Sequence, residues 1–158
     1  MGFTGRLLRL TPAAAVLFLF FTVPPLWSQS ETAGDKGDDP ASYVGLTLTD
    51  LFQRFGVPRS VYAARGPEEW QDDVVFVYDR GDFFVYKDRV WQVGLKDAME
   101  IMAGDSRAVV LLVLGAKAES RQNSVFCSLD NGAWPMVLRC DFDKDDKVQV
   151  IFIYRTDF

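Results

Sequence analysis

The stretch Gly45-Leu-Thr-Leu-Thr-Asp-Leu-Phe-Gln-Arg-Phe-Gly-Val-Pro58 carries a complete set of signals for one short helix. Thr47 is a favourable N-cap, and Asp50, three residues later, can supply the returning carboxylate of a capping box. Gly56 ends the helix, and Pro58 prevents its continuation. The apolar residues between these signals recur at the spacing of a single helix face; they are Leu48, Leu51, Phe52 and Phe55.

A second stretch, Gly104 to Gly115, has the same outline. An offset of 59 residues maps one stretch onto the other, taking Thr47 to Ser106. Self-similarity at a fixed spacing is the signature of repeated units. Apolar residues fill every side of this second helix, which predicts that it is more deeply buried than the first. Periodicity alone would also allow a buried strand from Ala108 to Leu114, and the matching glycines favour the helix.

Segments with strand character follow each helix. Tight connectors between them predict antiparallel meanders. Lys96 to Ala103 has helical composition, so a pair of helices is expected to open the second unit, with Ala41 to Val44 as a shorter counterpart in the first. The predicted fold class is α+β, with two tandem units of helix-loop-helix plus antiparallel meander, 41–95 and 96–158, packed into one domain. The predicted strands are Ser60–Ala64, Asp73–Tyr78, Phe83–Lys87, Val90–Leu95, Ser124–Leu129, Met136–Phe142 and Lys147–Tyr154.

Residues 1–30 have the features of a secretory signal peptide. Arg6 and Arg9 precede the apolar run from Ala13 to Val23, and prolines and small residues follow it. The run is shorter than the roughly 20 residues that span a bilayer, and no cysteine near its end provides a lipobox. We expect cleavage, a flexible leader over 31–40, and a secreted or periplasmic protein that is not stably inserted in the membrane; an uncleaved anchor is the alternative.

The composition argues against several classes of function. The formal charge is −5, and without residues 1–30 the chain keeps 15 basic and 22 acidic residues, a charge of −7. Such a charge disfavours nucleic acid. The chain has no histidine, the commonest general base and zinc ligand. The acidic run from Asp141 to Asp146 lacks the glycine and glutamate of a calcium loop. We therefore expect no enzyme, no cofactor and no metal.

The two cysteines, Cys127 and Cys140, predict a disulfide, because export permits one. If they lie opposite each other in a hairpin around Asn131 to Pro135, one face of the strand pair becomes wholly apolar. A disulfide across this loop would add on the order of 3 kcal/mol of stability. A pair of free thiols is the alternative.

Aromatic residues crowd the predicted strands, and several strands are apolar on both faces. Such strands are buried on both sides, or present one face to a partner. Core packing explains most of these aromatics, while a tryptophan at a hairpin tip is a good interface anchor. For Trp134, folding back over the sheet is an equal alternative. The residues predicted to bind a partner are Trp70, Asp79, Arg80, Asp82, Trp91 and Trp134.

Gly45-Leu-Thr47, Asp50-Leu51 and Phe55-Gly56-x-Pro58, followed by Trp70 and the strand Val75-Phe-Val-Tyr78, resemble the SmpA/OmlA (BamE) type domain and the wider β-lactamase-inhibitor-protein-like fold. The likeness is strongest over residues 43–95. It implies paired sheets whose concave face grips a partner.

These patterns predict an exported, non-catalytic module that binds a protein of the cell envelope through an aromatic sheet surface and hairpin tips. One alternative is an inhibitor of an exported enzyme, with the tips Asp79–Asp82 and Asn131–Trp134 entering a cleft. Another is a carrier of small apolar ligands, which would need a sizeable cavity between sheet and helices.

Overall fold

The computed structural model describes residues 39–65, 72–130 and 133–157. The predicted signal peptide, most of the predicted leader and Trp70 lie outside these residues. In the described ranges, the structure contains no helix long and apolar enough to cross a membrane.

The described chain alternates short helices with two runs of strands. A 3-10 turn, Pro40–Tyr43, precedes helix α1, Leu48–Phe55, and a second such turn, Gly115–Lys117, follows helix α2, Arg107–Leu114. The strands are β1 (Ser60–Ala64), β2 (Asp73–Val77), β3 (Gly81–Tyr86), β4 (Arg89–Leu95), β5 (Asp97–Ala98), β6 (Ile101–Met102), β7 (Ala118–Arg121), β8 (Ser124–Asp130), β9 (Pro135–Phe142) and β10 (Val148–Arg155).

Eight of these strands form one antiparallel sheet in the order β1-β2-β3-β4-β10-β9-β8-β7. The predicted meanders are present, and β4 pairs with β10 to join them into a continuous sheet. The predicted fold class is therefore wrong: the molecule is mostly one large sheet with two short helices, and two helix-loop-helix units are not found in the described ranges. The prediction of tandem repeated units is not supported.

The predicted helix over Lys96 to Ala103 is instead the small hairpin β5–β6. Met99 and Glu100 form its turn, with φ of 51° and 67°. Ala98 and Ile101 lie opposite each other and are both buried. A spacing of three residues places two side chains together on a helix, but it also does so across a two-residue turn. The sequence pattern could not distinguish the two.

Both helices pack against the same face of the sheet. Phe52 of α1 contacts Phe76 of β2 edge to face, with ring centroids 5.8 Å apart. Leu51 of α1 and Val110 of α2 are both fully buried. One core cluster joins these helix residues to alternate residues of the strands, as expected when one side of each strand faces the core. The strand residues of this cluster include Phe83, Val93, Leu95, Val125, Leu138, Ile151 and Ile153.

The two helices differ in the capping of their N-termini. The capping box predicted for α1 is present: the Thr47 hydroxyl accepts a hydrogen bond from the Asp50 amide at 3.1 Å, and the Asp50 carboxylate accepts one from the Thr47 amide at 3.1 Å. Ser106 makes no such bond at the start of α2.

The prediction that α2 is the more buried helix is wrong, since only Val110 is buried and Leu112 is 82% exposed.

The cysteines lie on the core face, but they are not opposite each other. Cys127 pairs with Leu138, and Cys140 pairs with Val125. The predicted register is thus shifted by two residues, and both cysteines are free thiols in the structure. A shift of two keeps the same side chains on the apolar face, because strand side chains alternate with a period of two. The apolar pattern alone could not fix this register.

The edges of the sheet are formed by short strands with contrasting composition. β1 has no charged residue and exposes Val61 and Tyr62. β7, which was not predicted from the sequence, contains Glu119 and Arg121, which form an ion pair at 2.7 Å. Its composition is polar, and only the pairing of its backbone with β8 defines it as a strand.

The two helix starts provide a matched test of the capping box. Thr47→Ala is expected to lower the free energy of unfolding by about 1 kcal/mol, because it removes the acceptor for a free helix amide. Ser106→Ala is expected to cost less than half of that value, because the Ser106 side chain caps nothing. Urea denaturation followed by circular dichroism measures both. Equal losses for the two variants would contradict the capping assignment.

Burial governs the reactivity of the two thiols. It raises the pKa of Cys140 to about 12 and also raises that of Cys127. At pH 8 the native protein is therefore expected to react with iodoacetamide at least about 100-fold more slowly at Cys140 than at an exposed thiol, because only the thiolate attacks. In urea without reductant, mass spectrometry should find both cysteines alkylated. Two unreactive cysteines in urea would instead indicate a disulfide.

Candidate functional site

The sheet has a second face, which no described helix covers. Side chains alternate along a strand, so the neighbours of the core residues point to this side. We call this surface the open face. It is defined by Phe84, Trp91, Phe126, Val137, Arg139, Phe152 and Tyr154, all of them partly exposed.

Phe152 lies at the centre of the open face. Its ring is 6.4 Å from that of Phe84 and edge-on to it. Gly94 on the adjacent strand leaves room for the ring, since a Cβ there would lie 3.1 Å from Phe152 Cε1. The Arg139 guanidinium lies over the Phe152 ring, 4.6 Å from its centroid, and 5.8 Å from that of Tyr154. The aromatic rings and the cation thus form one connected surface.

Arg139 and Arg121 each lie over a ring and beside an acid. Arg139 Nε is 3.0 Å from Asp141 Oδ1. Arg121 lies over Phe126, 4.9 Å from the ring centroid, and its Nη2 donates to Glu119 at 2.7 Å. Cations stack favourably on aromatic faces, and guanidinium groups present several donors to carboxylates. This side of the sheet therefore combines apolar rings with two arginines, each stacked on a ring and paired with an acid.

A shallow cleft crosses the β7–β8–β9–β10 part of the open face. Its volume is about 200 Å³, below the roughly 300–1,000 Å³ of pockets that enclose small ligands. The cleft is suited to one or two side chains of a larger partner. It is lined by Lys117, Glu119, Arg121, Phe126, Cys127, Ser128, Val137 and Tyr154.

Trp91 is the predicted site residue that lies within the open face. Its indole Nε1 donates to Asp73 Oδ1 at 3.0 Å. Burial raises the pKa of Asp73, while the bond from Trp91 acts in the opposite direction. The indole is therefore held on the sheet by a side chain of β2.

The predicted tip at Asp79 to Asp82 binds to its own chain. Arg80 donates to both carboxylate oxygens of Asp97 at 2.8 Å and to the Tyr43 hydroxyl at 3.1 Å. Asp79 forms an ion pair with Arg59. Asp82 is half-buried opposite Gly94 and borders the open face.

Trp134 folds back onto the molecule, the second of the two arrangements considered for it. The Arg155 guanidinium lies 3.8 Å from the centroid of its ring. A Cβ at Gly45 would lie 3.0 Å from Trp134 Nε1. Trp134 remains 39% exposed. The structure therefore brings neither Trp134 nor Arg80 to the open face.

Arg139 and Phe152 were not among the residues predicted to bind a partner. The signal was available in β9, where Val137, Arg139 and Asp141 alternate with apolar residues. Such alternation predicts one face in the core and one face outside it. The interruption of an apolar strand by an arginine marks the outer face.

Two glycines allow the packing of the Trp134 indole against Gly45 to be tested. Gly45 and Gly104 have nearly the same φ, 95° and 94°, but a Cβ added at Gly45 would contact the indole, whereas one added at Gly104 would meet no atom within 4 Å. Gly45→Ala and Gly104→Ala should share the cost of an unfavourable backbone conformation, about 1 kcal/mol. Gly45→Ala should cost up to about 1 kcal/mol more through the displaced indole. Denaturation curves give the difference, and equal costs would contradict the packing of Trp134.

No family model matches this chain, and no curated protein sequence matches it. Among solved structures, the chain is similar to an extracellular protein containing a SCP domain from Bacillus anthracis strain Ames. The identity is 13% and the TM-score is 0.50, and the match covers 78% of this chain and 47% of that one. A cysteine-rich secretory protein from Staphylococcus aureus Mu50 matches with 11% identity and a TM-score of 0.46, over 77% and 47% of the two chains.

The resemblance to the SmpA/OmlA and β-lactamase-inhibitor-protein-like domains is wrong, because the solved structure that shares the fold at a TM-score of 0.50 is that of a protein described as containing a SCP domain. This chain spans about half the length of the structures that it matches. At 13% identity, the likeness to the Bacillus anthracis protein shows a shared fold alone.

Proposed function

We propose that this chain is an exported, non-catalytic module that binds a partner protein through the open face. The observation that carries the proposal is the one-sided covering of the sheet: both described helices pack on one face, and partly exposed aromatic rings and arginines occupy the other. Phe84, Phe152 and Tyr154 contact one another or Arg139 within the chain and remain partly exposed, and interfaces are enriched in aromatic residues and arginine.

The chemistry of the open face indicates the kind of partner. Rings packed side by side accept apolar side chains, whereas Arg139 and Arg121 already pair with Asp141 and Glu119 of their own chain. We infer a partner segment that carries apolar side chains. The description of the Bacillus anthracis neighbour as extracellular and the predicted signal peptide both support an exported location.

The hairpin tips are less favoured as binding elements. Arg80, Asp79 and Trp134 each contact their own chain, so an inhibitor that inserts these residues into a cleft would first have to break those contacts. A carrier of small apolar ligands would need a cavity larger than the cleft of about 200 Å³ on the open face.

Substitutions on the open face and at a tip separate these functions. The purified protein should capture a partner from an extract of the cell envelope and medium, and the complex should then be measured by titration calorimetry. Phe126→Ala and Arg139→Ala are each expected to weaken binding at least about 10-fold, because they remove a ring or a stacked cation from the contact surface. Asp79→Ala, at the tip, is the matched control and should bind normally.

Thermal denaturation shows that each variant is folded. Weakening by Asp79→Ala together with normal binding by both open-face variants would overturn the proposal in favour of the tips. Extraction of lipids without any protein would favour the carrier.

A further inference from the structure

A β-bulge in β4 sets the direction of the Trp91 side chain. Between Val90 and Gln92, β4 advances by two residues while its neighbour β3 advances by one, so Trp91 is the extra residue of the bulge. Val90 and Val93 both lie in the core cluster, three residues apart, whereas core residues of a regular strand are two apart. The bulge therefore places two consecutive residues, Trp91 and Gln92, on the side of the open face.

The indole of Trp91 is held from a strand that is not adjacent to its own. Its Nε1 donates to Asp73 Oδ1 of β2 at 3.0 Å. Strand β3 lies between β2 and β4, so the side chains meet across two strand spacings, roughly 10 Å. The bulge thus directs the indole onto the open face, and the Asp73 carboxylate fixes its nitrogen edge there.

Stability does not explain the carboxylate of Asp73. Burial raises its pKa, the bond from Trp91 acts in the opposite direction, and the neighbouring Asp72 raises the pKa further. A raised carboxyl pKa means that the folded protein disfavours the charged form, so at neutral pH the charge of Asp73 lowers the stability of the fold. An uncharged oxygen would satisfy the indole N–H without this penalty. Ionisable groups in unfavourable surroundings are concentrated at functional sites.

We propose that Trp91 is the anchor of the open face and that Asp73 is a positioning residue, which holds the indole in its binding orientation before the partner arrives. Both roles rest on the proposed function, in which a partner segment with apolar side chains lies on this face. Tryptophan is enriched among the residues that dominate interfaces. A side chain that is already fixed loses less conformational entropy on binding. A hydrogen bond to a charged acceptor is stronger than one to a neutral acceptor, which gives the charge of Asp73 a use.

The free protein provides the test of positioning. In ¹H–¹⁵N NMR spectra each indole N–H gives one signal, and Trp91→Phe identifies that of Trp91. Asp73→Ala should move this signal towards the position of a solvent-exposed indole, and Asp73→Asn, which keeps an acceptor oxygen, should move it less. Asp72→Ala removes the same charge one residue away and is the matched control, with the signal close to that of the wild type. An unmoved signal in Asp73→Ala would overturn the positioning role.

Binding of the captured partner, measured by titration calorimetry, provides the test of the anchor. Trp91→Ala should weaken binding at least about 10-fold. Asp73→Ala should weaken it about 5-fold, and Asp73→Asn only about 2-fold. Asp72→Ala should bind normally. Asp73→Ala should also melt no more than about 4 °C below the wild type, because the fold does not depend on this carboxylate.

A double-mutant cycle shows whether Asp73 acts through Trp91. Trp91→Phe keeps an aromatic ring but has no N–H to donate to the carboxylate. Adding Asp73→Ala to Trp91→Phe should therefore change the affinity by less than about 1.5-fold, in contrast to its effect on the wild type. Equal effects of Asp73→Ala in the two backgrounds would mean that it acts elsewhere, and the positioning role would be wrong.

The other open-face variants separate the anchor from the proposed function. Weaker binding by Phe126→Ala and Arg139→Ala, together with normal binding by Trp91→Ala, would overturn the anchor and leave the open face as the binding surface. Weaker binding by Trp91→Ala with normal binding by Asp73→Ala would overturn the positioning role alone. Normal binding by every open-face variant, or extraction of lipids without any protein, would overturn the anchor and the proposed function together.

Discussion

The pairing of β4 with β10 holds this molecule together. Without it, the chain would contain two four-stranded meanders, each with one helix and too little apolar surface to be stable alone. Residues such as Val93 and Ile153 are opposite each other in this pairing and are fully buried. The pairing makes one sheet, one core and, on the reverse side, one continuous open face.

The one-sided covering of that sheet leaves its second face uncovered by any described helix. The described helices pack on one face of the sheet only. Alternate residues of each strand lie in the core on that face, and the residues between them lie on the open face. Phe152 and Arg139 occupy such positions, and Gly94 gives the ring room to lie against the sheet. Asp79, Arg80 and Trp134, in contrast, contact other residues of their own chain.

Local features were predictable because local chemistry determines them. The capping box at Thr47 and the strands of the large sheet other than β7 follow from capping residues and from alternation. Features that depend on the rest of the molecule were not predictable in this way. The spacing of Ala98 and Ile101 fits a helix and a tight hairpin equally, and the apolar pattern around Cys127 tolerates a shift of two residues. Trp134 and Arg80 carry the right residue types for a binding tip, and only tertiary contacts show that they are engaged elsewhere.

The two edge strands of the sheet, β1 and β7, differ in composition. At one end, the edge strand β7 contains Glu119 and Arg121, and a charged edge discourages the addition of a further strand. At the other end, β1 has no charged residue and exposes Val61 and Tyr62 beside backbone groups that no described strand pairs. A further strand would therefore pair with the edge strand β1 more readily than with the edge strand β7.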